Sequence, residues 1–100
     1  MTIVIPVETE NGLESTVCTL KNVKKWALVN IDADTIEPTF YDDWKNTDAD
    51  FIEHIILDNH DEDALDFINE GIFCLVSRQE KQIDELIAAF RFRELDEMAF

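Results

Sequence analysis

The stretch from Glu53 to Arg93 constrains the fold of this chain more than any other. It opens with an apolar run, Glu53-His-Ile-Ile-Leu-Asp58, followed by the acidic turn Asn59-His-Asp-Glu-Asp63. Ala64, Leu65, Phe67 and Ile68 then recur at helical spacing, and Gly71 follows. A second apolar run, Ile72-Phe-Cys-Leu-Val-Ser77, leads into a helical pattern over Glu80–Arg93, with Ile83, Leu86, Ile87 and Phe90 as its stripe. Strand, helix, strand in this order make a parallel crossover unit. Strands that are apolar throughout are covered on both faces. Asn59 or Asp61 is suited to cap the first helix, and Gly71 to end it, because a positive φ costs glycine little. Folds of this kind gather ligands at the carboxyl ends of their strands.

The amino-terminal half supplies further strands. Thr2–Val7 reads as the first, with Pro6 placed near its end or where pairing stops. Glu8–Leu13 contains the turn dipeptide Asn11-Gly12. Ser15–Lys25 reads as a loop with a short helical turn. Trp26–Ile31 and Ile36–Tyr41 read as a second and third strand, and the short turn between them predicts antiparallel pairing. Pro38 favours an edge position for the third. Thr47 or Asp48 is placed to cap a brief helix containing Phe51 and Ile52.

Charge excludes several functions. Acidic residues outnumber basic ones 23 to 8, for a formal charge of −15, and both halves are acidic. Such a surface repels nucleic acid and anionic membrane. The amino terminus has no basic leader followed by a long apolar core, and no apolar run has the length of a membrane span. Cys18 and Cys74 lie in apolar runs and form no disulfide framework. The expectation is one cytoplasmic domain over residues 1–100, with a core over 1–91 and a tail over 92–100.

The order of these segments resembles the small domain of the dinitrogenase iron-molybdenum cofactor biosynthesis family. The matching residues are Met1-Thr-Ile-Val-Ile-Pro-Val7, Gly12-Leu-Glu-Ser-Thr-Val17, Trp26-Ala-Leu-Val-Asn-Ile31 and Ala89-Phe-Arg-Phe-Arg-Glu-Leu95. The resemblance implies an α/β, ribonuclease-H-like fold. Its mixed five-stranded sheet has order 3-2-1-4-5, with the carboxyl-terminal helices packed on it. It also implies an iron-molybdenum or iron–sulfur cofactor precursor as cargo. The chain departs from the family in two loops. Thr19-Leu-Lys-Asn-Val23 replaces the usual His-Phe-Gly run, and Leu57-Asp-Asn-His-Asp61 replaces a Gly-rich strand end.

On that sheet Glu8 and Asp58 end neighbouring strands, with Ser77 and Arg78 one strand further. Glu8, Asp58, His60 and Asp61 are then candidate ligands for a divalent cation, since oxygen donors suit magnesium or manganese and imidazole a softer metal. Cys18 and His60, both in loops, are the better soft-ligand pair for a metallocluster; Cys74 in mid-strand and His54 at a strand start are the poorer ones. The turn after the fourth strand lacks the glycines of a phosphate loop, and neither Ser15 nor Ser77 has the setting of a nucleophile. Phe92, Leu95, Met98 and Phe100 make an apolar tail rimmed by Arg91 and Arg93, suited to dock on the domain or on another subunit. The leading expectation is a non-catalytic accessory or regulatory protein acting through a protein partner or self-association. The alternative is a carrier of the cofactor precursor.

Overall fold

The computed structural model describes residues 1–98. Its sheet has six strands in the order β3-β2-β1-β4-β5-β6. These are β1 (Thr2–Val7), β2 (Lys25–Asn30), β3 (Thr39–Tyr41), β4 (His54–Leu57), β5 (Phe73–Val76) and β6 (Asp96–Glu97). β1, β4 and β5 run parallel, with Val4 opposite Ile55 and Ile55 opposite Cys74. β2 and β3 extend the sheet antiparallel on one side. The expected order 3-2-1-4-5 is present as a continuous part of the sheet.

The sixth strand corrects the five-stranded expectation. β6 pairs antiparallel with β5, Glu97 opposite Leu75, and the Met98 N–H donates to the Cys74 carbonyl at 3.1 Å. Asp96 and Glu97 are charged and poor strand formers, so local propensity hides this edge. Tertiary contact supplies it, because Leu95 is only 9% exposed and packs into the core. Residues 95–97 therefore belong to the folded unit, not to a detachable tail.

Period-two alternation splits the core between the two faces of the sheet. Ile3, Ile5, Val7, Ala27, Val29, Ile56 and Leu75 point to one face, where α2 (Ile83–Arg91) covers them with Ile83, Leu86, Ile87 and Ala89. Val4, Trp26, Ile55, Leu57 and Cys74 point to the other, where α1 (Leu65–Asn69) covers them with Phe67 and the preceding Ala64. Each helix thus guards one side of the parallel strands. Pro6 lies beyond the last paired residues of β1 and β4, so its missing N–H breaks no bond between them.

Both helices end in the same way. After α1, Gly71 has φ +78, its N–H donates to Ile68 O at 3.0 Å, and Ile72 N–H donates to Phe67 O at 2.9 Å. This doubly bonded end satisfies carbonyls that a helix terminus leaves orphaned. After α2 the same pair of bonds runs from Arg93 to Phe90 and from Glu94 to Ala89, with Arg93 at φ 57. The helix starts differ from expectation. Asp63, not Asn59 or Asp61, accepts from the first turn of α1 through Leu65 N–H at 3.2 Å. Asn59 instead closes the preceding turn by accepting from Asp61 N–H. No helix contains Phe51 and Ile52; a tight helical turn, Trp44–Asn46, lies upstream with Asp43 accepting from Lys45 N–H. Leu65 is exposed, so the stripe of α1 is narrower than the sequence pattern.

Candidate functional site

The parallel strands give the molecule two rims. At their carboxyl ends stand Glu8 after β1, Asp58 after β4 and Ser77 after β5, as the sequence reading expects. Here the loops are bound to each other. Ser15 is fully buried; its hydroxyl accepts from Asn11 N–H at 2.7 Å and donates to Gly12 O at 2.8 Å. Its carbonyl accepts from Ile83 N–H, and Val17 N–H donates to Lys81 O at 2.7 Å. The Gly12–Val17 run thereby fastens the start of α2. Glu85 completes that start by accepting from Gln82 N–H at 3.0 Å.

Several side chains of this rim are likewise engaged. Asp58 pairs with Lys81 at 3.3 Å. Asp96 of β6 accepts from Arg78 Nε at 2.7 Å and contacts His60 Nε2 at 3.2 Å. The Arg78 hydrogen bond, and then that from His60, hold the Asp96 carboxyl below its ordinary range. Ser77 donates to Glu80 O at 2.6 Å. Burial pushes the Glu80 carboxyl up, but hydrogen bonds from the backbone of residues 78–80 and from Ser77 outweigh it and bring it down. Leu20 N–H donates to Glu62 at 2.6 Å, tying the altered loop after Cys18 to the acidic turn.

The proposed ligands divide between these contacts. Cys18 is buried near Glu8, Asp58 and Glu62. Burial first, and those carboxylates next, push its thiol up to about 11, with Lys24 opposing weakly. A thiol so placed is protonated at neutral pH. His60 is engaged with Asp96, and Asp61 is exposed. Among the described residues no three of His, Cys, Asp and Glu converge as a metal ion requires. Glu8, Asp58, His60 and Asp61 thus share a rim without forming a coordination sphere. Cys74 is buried against the α1 side with its thiol over the Ile72 carbonyl. Cys18 and Cys74 are both free thiols.

The opposite rim, at the amino ends of β1, β4 and β5, is where α2 ends. It holds a cavity of about 550 Å³, lined by His54, Phe73, Leu75, Phe90 and Leu95 with Arg91, Arg93, Glu97 and Met1 around it. The His54 ring meets Phe90 edge-on at 5.1 Å and Phe73 at 5.7 Å. Its Nδ1 is buried without a hydrogen-bond partner. Burial lowers the His54 pKa, against the pull of Glu53. Arg91 donates one N–H to Ile31 O at 3.2 Å. Sequence reasoning missed this cavity because a sixth strand that it did not foresee forms one wall.

The tail residues named from sequence separate here. Leu95 is in the core beneath α2, and Met98 packs on the α1 face. Phe92, between the two arginines, is 75% exposed. Phe100 lies outside the described residues.

No protein-family model matches the sequence, and no curated protein gives a significant sequence match. Solved structures do match. A provisionally assigned dinitrogenase from Methanocaldococcus jannaschii superimposes with a TM-score of 0.74 at 16% identity, covering 99% of this chain and 95% of that one. A provisionally assigned NifB protein from Thermotoga, of the DUF35 family, gives 0.67 at 19% identity, over 99% and 95%. The apo form of the orange protein from Desulfovibrio gigas gives 0.72 at 12% identity, over 98% and 92%. The chain shares the fold of these small α/β proteins across nearly its whole length. At these identities the likeness is one of fold. Among the described residues no helix is long and apolar enough to cross a membrane.

Proposed function

We propose that this chain is a non-catalytic accessory protein that works by protein–protein contact, through the rim at the amino ends of its parallel strands. The observation that carries this reading is Phe92. It caps α2, stands 75% exposed, and is bracketed by Arg91 and Arg93. An aromatic side chain beside arginines has the composition of an interface centre. Leu95 and Met98 act from beneath by anchoring the segment that presents it. A second copy of the chain is the partner to test first. Copies carrying −15 each repel at low salt, so association should tighten as salt screens them. Sedimentation equilibrium at two salt concentrations, on the wild type and Phe92→Ser, is the experiment. The reading expects a wild-type mass above one chain that rises with salt, and a monomeric variant of unchanged fold. A wild type that is monomeric throughout removes self-association, and indifference to Phe92→Ser removes this face.

A second reading is a carrier of an iron-molybdenum or iron–sulfur cofactor precursor. It draws on the ribonuclease-H-like resemblance and on the names of two fold neighbours, a dinitrogenase and a NifB protein. Cys18 and His60 would be its protein ligands, with Glu8 and Asp58 nearby. Among the described residues no three of His, Cys, Asp and Glu converge, which weighs against it. Anaerobic incubation with iron, molybdate and sulfide, followed by elemental analysis, decides. Colourless, metal-free protein ends this reading.

A further inference from the structure

The cavity at the amino ends of the parallel strands has a donor set at odds with the rest of the surface. Only eight lysines and arginines oppose 23 acids in this chain, yet two of those eight, Arg91 and Arg93, edge this one hollow. Its walls are apolar: Phe73, Phe90, Leu75 and Leu95. His54 is fixed edge-on between the two phenylalanines. With its Nδ1 sealed away and unpartnered, the less costly tautomer leaves that atom a bare acceptor and puts the proton on Nε2. The ring, which lines the cavity, is then a neutral N–H donor. Arg91 spends one of its five donors on the Ile31 carbonyl and keeps the others. Glu97 is the single carboxylate in the lining. Apolar walls with a few convergent polar groups are the general form of a small-molecule site, and guanidinium groups match planar carboxylates in particular.

From this juxtaposition we infer that the cavity binds a small monocarboxylate with an apolar body, such as a medium-chain fatty acid or an aromatic acid. The body lies against Phe73, Phe90 and Leu95, and the carboxylate is held by Arg91 and Arg93. Glu97 excludes dianions by repulsion. The site is at the opposite end of the strands from the acidic rim, and it does not depend on Phe92 contacting a partner.

Fluorescence titration with anilinonaphthalene sulfonate tests this, with decanoate as competitor and uncharged N-phenylnaphthylamine as the neutral control. The expected result is saturable binding of one probe per chain, displacement by decanoate, and affinity for the neutral probe lower by at least about tenfold. Arg91→Gln and Arg93→Gln should each weaken the anionic probe by about tenfold at unchanged circular dichroism. Leu95→Phe, which fills the cavity from its wall, should block both probes. Phe92→Ser should bind the probe as the wild type does, which separates failure of this site from failure of the partner face. Absence of saturable binding, equal affinity for both probes, or indifference to both arginine substitutions would overturn the inference.

Discussion

Two side chains have pKa values displaced from those usual for their type. Cys18 is a buried thiol among carboxylates, pushed up to about 11. It should therefore resist iodoacetamide in the folded protein at neutral pH and react only on unfolding. Mass spectrometry of the time course reads this, and labelling as fast as free cysteine would contradict it. His54 is lowered below its ordinary 6.5, chiefly by burial. The unfolded chain then takes up a proton near that pH that the folded chain refuses. The contribution is full above the unfolded pKa and declines as pH falls toward the lower folded value. His54→Phe removes the titration and keeps the aromatic packing. Urea unfolding from about pH 7.5 to about pH 5 should therefore show the variant gaining on the wild type as pH falls. Parallel pH curves would show that burial does not perturb this imidazole.

The two helix ends provide a matched pair at the level of the element. Gly71 and Arg93 occupy the same left-handed position in the same bonding pattern, one with the residue suited to it and one without. Gly71→Ala should cost about 1 kcal/mol, and Arg93→Gly should be neutral or stabilising by up to about 1 kcal/mol, by chemical denaturation. Equal losses at both would mean that Arg93 is held by more than its backbone. β6 is the other element with a measurable share. Leu95→Ala removes a core side chain and should cost about 2–4 kcal/mol, and deletion after Arg91 should lose more. A variant as stable as the wild type would make the segment a tail after all.

What the sequence reveals about these elements follows their physics. β4, β5 and the stripe of α2 are legible because complete or periodic apolarity is a local signal. Gly71 is legible because glycine at a helix end has one common reason. β6 is not legible, since Asp96 and Glu97 join the sheet through Leu95 and the open edge of β5, not through propensity. The shared rim of Glu8 and Asp58 follows from strand direction. That no three metal-type ligands converge among the described residues does not, because convergence of side chains depends on tertiary placement, as in the pairing of Asp58 with Lys81.

For the whole molecule, the two ends of the parallel strands play different parts. Buried serines, ion pairs and helix-start bonds occupy the carboxyl-end rim. An apolar cavity, two arginines and an exposed phenylalanine mark the amino-end rim. This division is the central claim, and amide chemical-shift mapping tests it most directly. Titration of the labelled protein with decanoate should shift the amides around His54, Phe73 and 90–95 and leave Glu8 and 58–61 unmoved. Shifts centred on Glu8, Asp58 and His60 instead, with the amino-end rim silent, would contradict it.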